Sequence, residues 1–281
     1  MIVAVVGLGL IGGSIALDLK ARGFTRYVIG VEANVKHASI ALKKGIVDEV
    51  CDLAEAIRRA NLVLIAVPVN VIVQLLPSIL DLIDDNTIVC DMGSSKSKLI
   101  EAVKGHPNRG NYVAAHPMAG TEYSGPTAAL YNLFDGKVAI ICDKENTDPE
   151  ALIIVEGMFH ILKMPLLYMV ANEHDMHAAY VSHISHISSF VLAITVLEKE
   201  KSVSNIFNLA SGGFASTVRL AKSSPKMWSQ IFEQNQHSLL EVMDTYIVNF
   251  VEWRDRIAAN DFEYLEAAMT QANAIKRILD P

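Results

Sequence analysis

Hydrophobic positions in the first half of the chain fall into short continuous runs, and segments of helical period fill the gaps between them. IVAVV, YVIGV, LVLIAV and TIVCD are each paired with such a segment, beginning near residue 14, ending near 44, and beginning near 71 and 97. Apolar runs this short, rich in β-branched residues and bounded by turns, read as strands buried on both faces. Their alternation with helices predicts βαβ units around a parallel sheet. YVAAHP and KVAIIC extend the strand material to about residue 142, a helical pattern follows over 149–163, and a short apolar LLYM closes this half.

Beyond residue 172 apolar residues recur at helical spacing and strand-like alternation disappears, so the second half is expected to be all helical. Helices are predicted over 172–200, 225–253 and 261–279. In the first of these Tyr180, Val181, Ile184, Ile187, Phe190 and Val191 leave little polar face. Such a helix is expected to be buried on several sides, including by another subunit.

The 281 residues leave room for two domains, and with 51% hydrophobic and 20% charged residues the chain is expected to fold throughout. The net charge is -7, and Lys and Arg are nowhere clustered, so neither nucleic acid nor an anionic membrane is an expected partner. Cys51, Cys90 and Cys142 lie in or beside apolar stretches far from any CxxC spacing. They read as reduced core residues, which suits the cytoplasm. The N-terminus leads directly into a strand, without the pattern of a signal peptide. Residues 62–83 are apolar, but Pro68, Asn70, Gln74, Pro77 and Asp81 interrupt them. That stretch divides into a strand and a helix and is not expected to span a membrane.

GLGLIG, from Gly7 through Leu8, Gly9, Leu10 and Ile11 to Gly12, follows the first strand and opens the first helix. A turn of this kind lets backbone amides approach a pyrophosphate, whose charge the helix N-terminus favours. Glu32 ends the second strand twenty residues after Gly12, where a carboxylate can accept hydrogen bonds from both ribose hydroxyls of NAD and repel the 2′-phosphate of NADP. The fold class expected is therefore α/β: an N-terminal Rossmann-type, NAD-binding domain over 1–170 and a C-terminal all-helical domain over 171–281.

DMGSSK and AAHPMAGTEYSG stand at the carboxyl ends of later strands, the edge where open parallel sheets bind ligands. Ser94 and His116 are thus candidates to meet a substrate beside the nicotinamide, and a neutral imidazole can accept a proton near pH 7. His174, His177, His183 and His186 share one predicted helix, but His174 and His183 stand half a turn and about 13 Å apart on an ideal helix. One ion cannot gather all four, and no metal site is expected. Arg219, in GGFASTVRLAKSSPKMW, suits the clamping of a carboxylate.

Taken together, GLGLIGGS, DMGSSK, AAHPMAGTEYSG, VSHISH and GGFASTVRLAKSSPKMW resemble the prephenate dehydrogenase family over nearly the whole chain. The resemblance implies oxidative decarboxylation of prephenate by NAD to 4-hydroxyphenylpyruvate. It implies that His116 takes the proton of the ring hydroxyl and that Ser94 orients both groups. It also implies that Arg219 binds a substrate carboxylate, that His186 lies near the substrate side chain, and that His174 and Thr121 belong to the substrate-binding set. The helical domain is then the substrate-binding and dimerisation domain of a homodimer. Where some relatives carry charge, this chain has Ala215 and Ser216, which keeps arogenate open as the alternative substrate. A β-hydroxyacid dehydrogenase would place a lysine on the long helix, which here has none before Lys199. A non-catalytic NAD-binding regulator is the alternative from another class.

Overall fold

In the computed structural model, which describes residues 1–203 and 205–279, β1 (Ile2–Val6) lies inside an eight-stranded sheet. The other strands are β2 (Tyr27–Val31), β3 (Glu49–Val50), β4 (Leu62–Ile65), β5 (Ile88–Asp91), β6 (Tyr112–Pro117), β7 (Ala139–Cys142) and β8 (Leu166–Met169). Their order is β3-β2-β1-β4-β5-β6-β7-β8. The chain moves outward from β1 in one direction and then crosses back to start β4 on its other side, which makes the crevice between β1 and β4 the switch point of the sheet. Alternate residues of β1 feed two cores: Val3 and Val5 pack in one, Ala4 and Val6 in the other.

Six helices accompany these strands: α1 (Leu10–Ala21), α2 (Val35–Lys43), α3 (Leu53–Arg59), α4 (Val69–Leu82), α5 (Ser97–Ala102) and α6 (Pro149–Ile161). The apolar stretch over 62–83 accordingly divides into β4 and α4, with Leu62, Leu64, Ile72 and Ile79 wholly buried.

The last two strands, β7 and β8, run parallel to each other but opposite to the rest of the sheet. β7 runs antiparallel to β6, pairing Ala114 with Cys142 and His116 with Ile140. Parallel neighbours need a crossover helix, and the β6–β7 connection has only the short 3-10 turn Pro126–Ala128 in its place.

The helical part opens with α7 (Ala171–Ala178), a π turn over Ala179–His183 and α8 (Ile184–Glu200) in unbroken succession. After α9 (Gly212–Thr217) comes α10 (Pro225–Gln234), capped by the Ser224 hydroxyl. The single helix expected over 225–253 is interrupted. Asn235 leaves the helical conformation, is buried, and donates its Nδ2–H to the carbonyl of Asp175 at 2.6 Å. That long-range bond competes with helix continuation.

The chain divides into two compact units after Gln236. The second consists of most of α11 (Gln236–Ala258), with α12 (Phe262–Ala272) and α13 (Lys276–Leu279). Within it Arg256 bonds Asp261 at 2.9 Å and lies over the Tyr264 ring. Tyr246, Phe250, Trp253 and Ile257 line an open apolar groove of about 460 Å³.

Candidate active site

The glycine turn is built for close approach. Gly7 has φ +95°, and a Cβ there would stand 2.7 Å from the Ala66 carbonyl oxygen; one on Gly12 would stand 2.0 Å from the Gly7 carbonyl oxygen. Gly9 faces open space, and the first turn of α1 has neither an acidic side chain nor a side-chain cap. Its amides therefore remain available to an anion. Leu8, Leu10 and Gly12 are buried beneath this surface, with Ile11 half-buried.

Glu32 at the end of β2 accepts the Leu8 N–H at 3.0 Å on one oxygen and the Asn34 N–H at 2.9 Å on the other. Each oxygen keeps a further lone pair for a ribose hydroxyl. The same carboxylate thus positions the glycine turn and faces the place where a ribose would lie. These residues fit a dinucleotide.

His116 emerges at the carboxyl end of β6, partly exposed. Its Nδ1 lies 2.8 Å from Nε2 of His174, whose Nδ1 lies 2.8 Å from Oδ1 of Asp175. Burial, with smaller contributions from His174, Lys96 and His183, holds the His116 pKa well below that of an ordinary histidine. His116 is consequently neutral at pH 7 and able to accept a proton. Ser94 is half-buried in the turn after β5, and the side-chain hydrogen bond observed at His116 is shared with His174 rather than with Ser94.

Two charged residues anchor this cluster. Asp175 accepts the backbone N–H groups of Lys96 at 2.7 Å and of Ser97 at 2.9 Å, and with its hydrogen bond from His174 this outweighs burial to keep its carboxyl below the usual range. Lys96, wholly buried, pairs with buried Asp91 and donates to the Ala115 carbonyl at 2.6 Å, next to His116. Asp91 also accepts the Tyr112 hydroxyl at 2.7 Å and the Gly93 N–H at 2.8 Å, so the buried pair has its partners.

The π turn changes the expected placement of the histidines. A turn closed by i to i+5 bonds winds more slowly than an α-helix, so His183 is not on the face opposite His174. Both are buried, and Asn235 bridges the pair of sites: its Nδ2 bonds the Asp175 carbonyl and lies 3.2 Å from His183 Nδ1. Burial lowers the His183 pKa to about 4. His186 stacks on Trp228 with ring centroids 3.5 Å apart and directs Nδ1 to the Ser182 carbonyl at 3.2 Å. Burial, partly offset by that bond, lowers its pKa, and nearby Arg219 lowers it further.

Arg219, more than half exposed, pairs with Glu122 at 3.6 Å. Glu122 stands six residues after His116 in the segment that also carries exposed Thr121, whose hydroxyl accepts the Tyr123 N–H at 3.3 Å. Both ring nitrogens of His174 are engaged within the protein, which leaves it no polar atom for a substrate. Among the described residues no group of three or more His, Cys, Asp or Glu could hold a metal ion.

Lys96, Glu122 and Asp175 are absent from the residues singled out by sequence, although the first two stand inside the quoted motifs and the third adjoins His174. Trp228 closes another of the quoted motifs, whereas Asn235 carried no comparable signal.

A sheet of this order with a glycine turn at its switch point defines a nucleotide-binding α/β protein. The family model described as prephenate dehydrogenase, nucleotide-binding domain, matches residues 15–166, and that for the prephenate dehydrogenase dimerization domain matches 170–271. The chain belongs to the prephenate dehydrogenase family, a family of dehydrogenases. It is 32% identical over 267 residues to the cyclohexadienyl dehydrogenase of Zymomonas mobilis, covering 94% of this chain and 90% of that one. The crystal structure of prephenate dehydrogenase from A. aeolicus in complex with hydroxyphenyl propionate and NAD+ is 27% identical, with TM-score 0.88 over 100% of this chain and 98% of the other. Synechocystis arogenate dehydrogenase is 26% identical, with TM-score 0.77 over 99% of each chain.

Proposed function

We infer that this chain catalyses the NAD-dependent oxidative decarboxylation of prephenate to 4-hydroxyphenylpyruvate. The observation that carries the reading is the ion pair of Arg219 with Glu122, which ties a guanidinium suited to a carboxylate to the segment immediately following the neutral imidazole of His116. The amides of the glycine turn and the carboxylate of Glu32 would hold the dinucleotide. When bound, its nicotinamide supplies the acceptor for the hydride that leaves the carbinol carbon.

His116 takes the hydroxyl proton as that carbon is oxidised. Loss of the ring carboxylate as carbon dioxide returns its bonding electron pair to the ring, which becomes aromatic, and His116 gives the proton back to the phenolate oxygen. Reactants and products then balance without net proton release. The chain's remaining tasks are to orient the dianion and keep the base neutral.

Arogenate is the second reading. It is supported by the likeness to the arogenate dehydrogenase structure and by the uncharged, exposed Ala215 and Ser216 beside the glycine pair of α9. A homodimer is supported by the match to a dimerization domain and by Val191, Ile194 and Leu197 of α8, each more than half exposed. Residues 1–170 would then be the NAD-binding part and 171–281 the substrate-binding and dimerising part. Initial rates of NADH or NADPH formation from prephenate and arogenate, each with NAD and NADP, test the assignment; absence of turnover despite NAD binding would favour a regulator.

A further inference from the structure

The chain of contacts behind His116 has a direction. Asp175 can only accept at Oδ1, because its carboxyl is held ionised and Lys96 and Ser97 already donate their amides to it. The 2.8 Å contact to His174 is therefore a hydrogen bond in which His174 Nδ1–H donates. In its neutral form the His174 ring has this one N–H, and its Nε2 then carries a lone pair. His116 Nδ1, 2.8 Å away, must then be the donor, which leaves the lone pair of His116 on Nε2.

We propose that Asp175 and His174 are positioning residues that fix His116 in the tautomer with a free Nε2 lone pair, and that they accept the charge which proton transfer creates. This rests on the reading of His116 as the base. As the substrate O–H bond breaks, its proton bonds to His116 Nε2. In step the His116 Nδ1–H bond breaks and that proton bonds to His174 Nε2, so the positive charge rests on His174 beside the Asp175 carboxylate. The reverse shift returns the proton when the phenol forms. No other reactant is consumed. Asp175 itself stays ionised, as the carboxylate does in the serine protease triad.

The lattice of amides around Asp175 explains why its orientation is reliable. Lys96 and Ser97 open α5 immediately after the turn that carries Ser94, so the strand edge that presents the substrate site also sets the angle of the carboxylate. A neutral amide at residue 175 can present N–H to His174 Nδ1. The ring then carries its proton on Nε2 and donates to His116 Nδ1, and His116 becomes a donor at the position where a base is needed.

The test combines spectra and kinetics. In protein labelled with 15N at histidine, at a pH where the imidazoles are neutral, His116 should carry its proton on Nδ1; in Asp175→Asn a population protonated on Nε2 should appear. Turnover of Asp175→Asn should fall on the order of a hundredfold or more, with KM and NAD affinity changed by less than about twofold. Asp175→Glu should recover part of the loss. In a His174→Gln background, Asp175→Asn should add little, since Asp175 acts through His174. His116 protonated on Nε2 in the wild-type spectrum overturns the proposal, as does full additivity of the two substitutions. The spectrum is independent of turnover: if neither substrate is oxidised, the assigned reaction falls while the tautomer still decides the relay.

Discussion

Arg219 and Glu122 stand 97 positions apart in sequence yet pair at 3.6 Å, which fixes the guanidinium of the helical part on the segment that follows β6. The pair is exposed enough that its net stabilisation is small. Its role is positional. Arg219→Ala should therefore raise KM for the substrate about tenfold or more and change turnover much less, because the anchoring bond exists before the transition state. Steady-state kinetics decide the matter, and an unchanged KM removes Arg219 from the site.

His116→Asn keeps a polar side chain at the end of β6 but offers no basic nitrogen. Turnover should fall at least about a hundredfold, the scale of a lost general base, while NAD affinity measured by fluorescence quenching stays nearly constant. Retention of near-normal turnover contradicts the assignment. In the wild-type enzyme the lowered pKa of His116 predicts that log kcat/KM, plotted against pH, holds steady below the ordinary histidine range and declines only on further acidification. A decline already complete near pH 6.5 would count against this.

Glu32→Gln retains one carbonyl oxygen for the two backbone N–H groups of Leu8 and Asn34 and removes the negative charge from the ribose site. The preference for NAD over NADP should narrow by about tenfold, as judged by the ratio of kcat/KM values. An unaltered ratio means that another group reads the ribose.

His183 supplies a pH dependence of stability. Its pKa is about 4 in the folded chain against about 6.5 unfolded, so the unfolded state binds more protons between those values. Stability is fully present above about pH 6.5, falls as the pH drops toward 4 and levels off below it, a loss on the order of 3 kcal/mol from this residue. Urea denaturation across that window should show a weaker slope for His183→Gln than for the wild type.

Lys96→Met leaves the Asp91 carboxylate buried without its counter-charge. The expected cost is about 3–5 kcal/mol, read as a lower denaturation midpoint. Lys96→Met with Asp91→Asn together should be milder than the single substitution.

The local parts of this architecture were visible in the sequence. A strand, a glycine turn and a carboxylate twenty residues on are near neighbours along the chain, so their arrangement follows from short-range rules, and Gly7 to Gly12 and Glu32 stand together as expected. Parts that depend on contacts far along the chain were not visible. Asp175 is an ordinary acid on a helix until the amides of Lys96 and Ser97, about eighty residues earlier, are brought to it. Hydrophobic period cannot distinguish a π turn from an α turn, and ideal α-helical spacing sets His174 and His183 on opposite faces where the π turn does not. Nor does the period record direction, so the reversal of β7 and β8 against the other strands left no mark in it. The break at Asn235 likewise follows from a tertiary bond rather than from any local helix breaker.

The single wider turn at Ala179–His183 has an effect beyond the pocket. One extra residue per turn rotates everything after it by about 100°. The outward stripe of Val191, Ile194 and Leu197 therefore takes its compass bearing from the same insertion that delivers His183 inward. Deleting one residue there would misalign both at once, so interior chemistry and exterior surface are geared together through a single helical tooth.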